Sequence, residues 1–443
     1  MNHRVLKTPA ALAVLSFWFA ATQASAWETG MQLGVNYATS DNIERVELGE
    51  QSDDMREAVL GLSLDAEEPM YNVDIDYFAR GRDYKNDVLE DNNLLAGRTL
   101  LTWVPLPRNF SWEVMHLRSD LLNDNALVDT DTNRETRNIL STGPSITFGI
   151  GAADSVTLNA RYIDISFELT ELSDNERIDT SLVWKRELSS VSQFSAFVEH
   201  NDIEYRAGEE QSFTKGGIEF RADLREAQYL VRLGTNRAET VQGDSRSDLL
   251  VRLVLSYQSD SDRISFLLAK DLVDTSVGFA TEGIFVSESF SLADEGTSTN
   301  FTEIDVLEQQ SVSIGYSSDR ICSRCVIRVN AFYDDLDYIE QPRDQDILGI
   351  NTELTYELNS KLRVNASLLY GKSQFFEEFD TVTRKDDVEG YGAGLEYKLS
   401  RNLELSVDVS SNKRESNIPG LNFEELSLRA GVLWSLGSSA VSN

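Results

Sequence analysis

The sequence predicts an all-β protein, a transmembrane antiparallel up-and-down β-barrel of about 20 strands (18–22). Three observations predict it. The first 26 residues have the make-up of an export signal, and no later apolar run is long enough to cross a bilayer as a helix. The remainder alternates apolar and polar residues with period two. The connections between the alternating stretches are short and long by turns. An exported chain without a helical anchor can still span a membrane by closing a barrel, because closure pairs every backbone polar group.

Arg4 and Lys7 form a positive leader, followed by an apolar stretch from Ala10 to Ala21 interrupted by Ser16. Ala24-Ser25-Ala26 then supplies the small residues a signal peptidase reads. The stretch is shorter than the roughly 20 apolar residues of a spanning helix. Residues 1–26 are therefore expected to be a signal peptide, 27–436 an outer-membrane barrel, and 437–443 a short polar tail. No plug-sized segment precedes the first predicted strand, so a TonB-dependent receptor is not expected.

Composition narrows the partners. The 443 residues carry 40 basic and 74 acidic side chains, a net charge of −34. Phosphate backbones need a basic face, so nucleic acid is excluded as a partner. Seven prolines and two cysteines exclude a collagen-like or disulfide-dense chain.

The strands begin with Met31, Leu33, Val35 and Tyr37, set against Gln32, Gly34 and Asn36. Ala58-Leu60-Leu62-Leu64 and Tyr71-Val73-Ile75-Tyr77 continue the pattern. Leu249-Val251-Leu253-Leu255-Tyr257, Leu362-Val364-Ala366-Leu368-Tyr370 and Leu403-Leu405-Val407-Val409 repeat it late in the chain. Alternation over about 10 residues is the signature of a tilted membrane strand, lipid on one face and lumen on the other. It places strands near 29–38, 56–66, 70–82, 93–104, 110–119, 136–148, 155–167, 176–186, 192–205 and 212–222. The second ten fall near 227–238, 247–258, 263–273, 308–317, 325–334, 346–357, 361–372, 386–398, 402–412 and 424–436. Pro69, Pro105, Pro107, Pro342 and Pro419 fall in connections, while Pro144 lies within a strand, where it predicts a bulge.

Long connections are expected at 39–55, 119–135, 274–308, 335–346 and 373–387, and they hold most of the excess acid. An even strand count puts both termini on the side of the short turns, the periplasm of a Gram-negative bacterium. The acidic loops then face outward. Two readings of them stay open: a solvated, mutually repelling crown, or diffuse bridging by divalent cations to lipopolysaccharide, since carboxylates are the hard ligands Ca²⁺ and Mg²⁺ use. Asp129-Thr130-Asp131-Thr132-Asn133 opens like an EF-hand loop, but Arg134 and Leu140 occupy positions that need Gly and Glu, and no dedicated metal site is expected.

If the apolar parity faces lipid, the lumen-lining candidates are Arg80, Arg98, Arg161, Arg221, Arg232, Arg252, Arg328, Arg363, Asp74, Asp76 and Glu353. With Lys185 and Arg429, and with Asp65, Glu113, Asp179, Glu199, Glu219, Asp271, Glu396, Glu404 and Asp408 on the same parity, ten bases face twelve acids, as in a paired polar interior or a wet channel lining. Loop 274–308 carries eight acids and no base, together with Ile284, Phe285, Val286 and Phe290. It is expected to fold inward, to set its acids beside Arg252 and Arg328, and to make the pore cation-preferring. His116 and His200 both fall on the lipid parity, with no positioned serine, so neither catalysis nor a cofactor is expected. Cys322-Ser323-Arg324-Cys325 lies in a short turn, where a disulfide is the expected state of a periplasm-exposed pair.

Two stretches resemble known patterns. Arg429-Ala430-Gly431-Val432-Leu433-Trp434-Ser435-Leu436 resembles the C-terminal β-signal read by the barrel-assembly machinery, with Arg429, Gly431, Trp434 and Leu436 as its assembly positions. It differs in that seven small or polar residues follow Leu436. Gly34-Val35-Asn36-Tyr37-Ala38-Thr39-Ser40-Asp41-Asn42-Ile43 resembles the "Y-x-x-S/T-D-N-I" opening of outer-membrane β-barrel proteins of the exopolysaccharide and PEP-CTERM-system-associated family. Leu188-Ser189-Ser190-Val191-Ser192 and Leu399-Ser400-Arg401-Asn402-Leu403 fit the turns of that group. The resemblance implies a porin-like channel associated with export of surface polysaccharide, with polysaccharide-export components as partners and no catalytic residues. The alternative is a non-conducting barrel whose acidic loops engage glycans, lipopolysaccharide or a partner protein.

Overall fold

The computed structural model describes residues 27–122, 130–276, 304–322, 324–341, 343–376 and 383–437. The signal segment and residues 438–443 of the tail lie outside them. Twenty strands follow one another. The first ten are β1 (Trp27–Ser40), β2 (Asp53–Glu68), β3 (Tyr71–Tyr84), β4 (Asn92–Leu106), β5 (Phe110–Leu122), β6 (Arg134–Gly149), β7 (Asp154–Phe167), β8 (Asn175–Ser189), β9 (Ser192–Tyr205) and β10 (Glu210–Asp223). The second ten are β11 (Ala227–Glu239), β12 (Ser245–Gln258), β13 (Asp262–Asp274), β14 (Val306–Ser318), β15 (Cys325–Tyr338), β16 (Asp344–Glu357), β17 (Leu362–Phe376), β18 (Arg384–Lys398), β19 (Leu403–Ser416) and β20 (Phe423–Gly437).

Each strand pairs antiparallel with its neighbours in sequence, and β1 pairs with β20 from Gly30↔Gly437 to Ser40↔Ser427. That last ladder turns the sheet into a closed 20-stranded up-and-down barrel. Connections at one end hold two to six residues, such as 69–70 and 190–191. At the other end they run up to the 31 residues of 275–305. The strands reach further into the long connections than the alternation indicates. β2 starts at Asp53 and β15 continues to Tyr338, so the connections there shorten to 41–52 and 339–343.

Parity sorts the side chains as predicted. Leu33, Val35, Tyr37, Leu249, Leu348, Leu354, Leu428 and Val432 are all exposed on the outer face. Leaving such side chains in water would cost about 1.5–3 kcal/mol each, and a belt of them around the circumference calls for lipid. Among the described residues no helix is long and apolar enough to cross a membrane. The strands themselves carry the span.

The prolines act differently from expectation. Pro144 makes no bulge: the β6–β7 register is the same on both sides of it, and only the rungs at Gly143 and Pro144 are missing. Proline has no N–H to donate, and Arg161 Nη1 donates to the Ala160 carbonyl opposite at 3.2 Å as well as to the Pro144 carbonyl at 2.8 Å. The bulge lies at Pro105, which belongs to β4 rather than to a connection, between Trp103 and Leu106 in the β4–β5 ladder.

β20 shows why its glycine matters. A Cβ on Gly431 would stand 2.1 Å from Asn36 Oδ1, and Asn36 Nδ2 donates to Glu57 at 2.8 Å inside the barrel. Trp434 lies on the opposite parity, in register with Leu33 of β1 and Leu403 of β19. Gly431→Val and Trp434→Ala should each lower the yield of heat-modifiable folded barrel while leaving export from the cytoplasm intact. Equal yields of folded barrel in variants and parent would count against a closing-strand role for both.

Candidate functional site: the lumen and its long-loop mouth

The inward parity carries a series of ion pairs. Arg98 meets Asp74 at 2.9 Å, Arg363 meets Glu396 at 2.8 Å, Arg328 meets Glu353 at 3.5 Å and Arg161 meets Glu113 at 3.8 Å. Arg232 pairs with Glu199 and stacks its guanidinium over Phe197, 3.8 Å from the ring centroid. Asp76 is the cross-strand neighbour of Arg98, and Arg252 stands opposite Arg232. Arg221 pairs with Asp223 near the short-turn end at 3.3 Å. Arg80 reaches Asp120 at 3.5 Å and Glu57 at 3.8 Å, nearer the mouth. Arg429 is the register partner of Asp408.

The lumen is not polar throughout. Met115, Leu121, Ile139, Ile165 and Phe167 form a buried apolar cluster on the inner parity of β5–β7. A second cluster joins Ile203, Tyr205, Phe213 and Ala238 of β9–β11 to Leu272 and Val306. The latter two belong to β13 and β14, which are not neighbours of β9–β11. That contact marks the main irregularity of the barrel.

The β12–β13 ladder stops at Val251↔Lys270, while β13 and β14 stay paired up to Asp274↔Val306. The upper β13–β14 hairpin therefore leaves β12 and lies against the inner wall of β8–β11. Lys270 bridges the seam, bonding Asp248 of β12 at 2.9 Å and Glu308 of β14 at 2.8 Å, and Arg246 holds Glu308 from β12 at 3.2 Å.

Further along, Asp271 receives Lys215 Nζ of β10 and Asn236 Nδ2 of β11. Asp274 receives Arg177 Nη2 of β8, and the Tyr205 hydroxyl of β9 at 2.7 Å. Arg137 Nη1 of β6 donates to the Ser276 carbonyl at 2.9 Å. Arg137 is 1% exposed and Arg177 3%. Neither would be stable there without hydrogen-bonding partners.

The loop thus turns inward at both described ends, where Asp274, Asp305 and Glu308 engage groups other than Arg252 and Arg328, while its other five acids lie outside the described residues. Arg328 sits three residues into β15, near the short-turn end, too far down the barrel for a mouth segment. At the described ends, Asp274 pairs with Arg177, and Glu308 with Lys270 and Arg246. Ile284, Phe285, Val286 and Phe290 lie outside the described residues. Several other acids of the long loops are engaged rather than solvated. Asp131 accepts from Arg82 at 2.6 Å and from the Tyr84 hydroxyl at 2.7 Å. Buried Asp53 accepts from the Asn86 and Val88 amides. Among the described residues no three His, Cys, Asp or Glu side chains gather as a metal site.

Asp305 ties the second end of the loop down. Its carboxylate accepts the amides of Val306, Glu340 and Gln341 at 2.6–3.0 Å, which joins connection 275–305 to connection 339–343. Burial pushes its pKa up to about 6 against the three amides, which favour the anion. His116 and His200 lie on the outer parity, bonded to Tyr77 and to Thr214 and Asp202. Cys322 and Cys325 are joined as a disulfide in the 319–324 turn region, their Cα atoms 5.4 Å apart.

Parity could have singled out Arg137, Arg177 and Lys215 as inward, but their positions near strand ends hid them. Which groups they meet depends on strands three or more apart.

With this geometry in place, comparison with known proteins gives the class. Residues 370–435, spanning β18, β19 and most of β20, match the family model described as "Putative beta-barrel porin 2". No curated protein matches the sequence. Among solved structures, the FrpB iron transporter from Neisseria meningitidis (F3-3 variant) is 10% identical with a TM-score of 0.47, over 97% of this chain and 83% of that one. The siderophore receptor PirA from Pseudomonas aeruginosa is 12% identical with a TM-score of 0.44, over 92% and 80%. The loop L8 deletion mutant of OmpT, an outer membrane protein of Vibrio cholerae, is 8% identical with a TM-score of 0.38, over 93% and 100%. The closed barrel, its apolar belt and the family match together define a porin-like β-barrel of the outer-membrane type.

Two measurements test the mouth. Arg177→Ala leaves Asp274 buried without its cation, a change worth about 3–5 kcal/mol. Hydrogen exchange at residues 271–276 should accelerate accordingly, with the lower barrel unchanged; unaltered exchange would remove the pair as the anchor. The second concerns Asp305, whose pKa in the folded protein lies above the ordinary carboxylate value of about 3.9. The folded form then binds the proton more tightly, so anchoring weakens as pH rises from about 4 through 6. Exchange at 304–306 and 339–341, corrected for intrinsic rates, should be slower at pH 5 than at pH 7.5, and Asp305→Asn should abolish the difference.

Proposed function

We propose that the protein is an outer-membrane channel for small polar and ionic solutes, with termini and short turns in the periplasm and the long acidic connections outside. The observation that carries this reading is the ring of ion pairs on the inner parity. Charged pairs of this kind are half-exposed at Arg98, Arg328 and Arg363, which suits a water-filled lumen rather than a dry core. Barrels of about 16–18 strands already enclose an aqueous passage unless something fills it. Among the described residues the element that turns into the lumen is the β13–β14 hairpin at the mouth. The channel is read as narrowed there and open below.

The association with export of surface polysaccharide, and with export components as partners, rests on the resemblance at Gly34–Ile43 and forms part of the same proposal. So does recognition of β20 by the barrel-assembly machinery, contact of the belt and rim with lipid and lipopolysaccharide, and diffuse divalent cations at the rim. No reaction is proposed for the barrel. The second reading, a non-conducting barrel that binds a glycan or partner at its rim, is favoured by the same hairpin, since a docked tip obstructs the mouth.

Planar-bilayer recording of the purified full-length protein separates the two. Stepwise conductance is expected, with weak preference between cations and anions, because the lumenal bases and acids are paired. Arg232→Glu should shift the reversal potential toward cation selectivity. A silent bilayer, given heat-modifiable folded protein in the same sample, would reject the channel and leave the binding barrel.

A further inference from the structure

Three successive inward rungs of the β15–β16 ladder stand in line. Phe332 is the cross-strand partner of Gly349, Asn330 of Asn351 and Arg328 of Glu353. A Cβ on Gly349 would lie 2.3 Å from Phe332 Cζ and 2.6 Å from Cε1. The ring thus fills the space above the glycine and lies along the wall, one face on the backbone and the other toward the lumen. Phe197 of β9 also stands opposite a glycine, Gly217, but the Arg232 guanidinium covers its face and leaves it 5% exposed. Among the described residues no cation stacks on Phe332, which is half-buried. Below the ring, toward the short turns, neither Asn330 nor Asn351 has a side-chain hydrogen bond among the described residues. Each amide offers two donors and an acceptor oxygen with two lone pairs. The Arg328–Glu353 pair one rung lower is held at 3.5 Å and is more than half exposed on both sides. The neighbouring strands leave the ladder open. Beside it β14 presents Ser313, Gly315 and Ser317, and β17 presents Gly371, Leu369 and Ser367, of which Leu369 alone is long.

An open aromatic face, two adjacent planar amides and a planar ion pair along one strand direction match one class of solute. A pyranose ring presents C–H bonds on a face and hydroxyls around its edge. Its C–H face is apolar and slightly positive, which suits the negative face of an aromatic ring. Neighbouring hydroxyls can be bonded two at a time by a planar amide, carboxylate or guanidinium. A few placed polar groups beside an apolar surface is also the common make-up of a small-molecule site. Inward rungs repeat every two residues, about 7 Å along a strand, so the three rungs have room for two or three linked sugar rings. The amides are neutral and the ion pair balances itself, so the ladder sets no net charge against the solute. We propose that Arg328, Asn330 and Phe332 of β15, with Gly349, Asn351 and Glu353 of β16, form a binding subsite for uncharged pyranose oligosaccharides. Phe332 is its stacking platform, and Asn330 and Asn351 are its hydroxyl partners. This deepens the channel reading by naming a solute class, and it rests on that reading for passage, not for binding.

The test is a calorimetric titration of the full-length protein in lauryldimethylamine oxide, a detergent without a sugar head group. The probes are cellotetraose and maltotetraose, with sorbitol as a control that has hydroxyls but no ring face. The parent should bind at least one tetrasaccharide and no sorbitol. Phe332→Ala should weaken that binding about tenfold, and Phe332→Tyr, which keeps the platform, should not. Asn330→Ala/Asn351→Ala should weaken it by a similar factor. Gly349→Ala removes no solute contact, yet it should weaken binding as well, because its Cβ displaces the ring. Phe197→Ala should leave affinity unchanged, since that ring is already covered by Arg232. Folding of every variant is checked by heat-modifiable mobility, and Phe332→Ala with the double-alanine variant decides the matter if Gly349→Ala does not fold. Absence of tetrasaccharide binding by the folded parent, or parental affinity in Phe332→Ala, would overturn the subsite. Bilayer recording of the same samples is scored separately. Binding without conductance would reject the channel and keep the subsite, whereas conductance without tetrasaccharide binding would do the reverse.

Discussion

A sheet in hydrocarbon tolerates no free edge, because each unpaired N–H or C=O there lacks water to bond with. Closure of β1 on β20 satisfies that demand, and much else about the molecule follows from it. Closure sets one parity of every strand toward lipid and the other toward a shared interior. It also forces distant parts of the chain to face one another across that interior. Arg177 and Asp274 are 97 residues apart, yet they meet because the wall curves round to bring β8 within reach of the β13–β14 hairpin. At Gly431 the same constraint acts on a single atom, since Asn36 of the first strand occupies the space a side chain would need.

The hairpin is where a strand leaves its ladder to pack across the lumen. β13 gives up its upper pairing with β12 and in exchange buries Leu272 and Val306 against Ile203, Tyr205, Phe213 and Ala238. Ionic contacts accompany the apolar ones: Asp271 with Lys215, and Asp274 with Arg177. Surface ion pairs contribute little, but these pairs are buried and held by additional hydrogen bonds, so their geometry discriminates between positions of the hairpin. The lower lumen is different. Arg98–Asp74 and Arg328–Glu353 are half-exposed, as expected for side chains that share their space with water. The barrel is thus polar and paired below and packed and latched above.

The acidic character of the chain takes on a different meaning in this light. Read as a sequence, the long connections form a negative rim, and much of that charge was expected to face solvent. Asp53, Asp131, Asp274, Asp305 and Glu308 instead serve as acceptors that tie connections to strands and to each other. Carboxylates placed where strands end can accept backbone amides that have no ladder partner, as Asp305 does for Glu340 and Gln341. Part of the negative charge therefore holds the mouth in shape.

What the sequence by itself determined is whatever depends on neighbours one or two residues apart. Alternation such as Leu249-Val251-Leu253 and Leu403-Leu405-Val407 set the strand count and the parity that carries the exposed apolar side chains. The short and long connections and the pairing of Cys322 with Cys325 were legible for the same reason. Only the tertiary structure decided the contacts made across the barrel. Loop 274–308 was readable as inward-turning from its composition, but the partners of its described ends were not. Arg328 lies too far down its strand, and Arg177 and Lys215 come within reach only after β13 leaves β12. Pro144 and Pro105 tell the same story on a smaller scale, since one leaves the register of its ladder intact and the other shifts it. Local periodicity is a property of the strand alone, whereas a cross-lumen contact depends on circumference, stagger and the point at which one ladder ends, and none of these is written in any short stretch of residues.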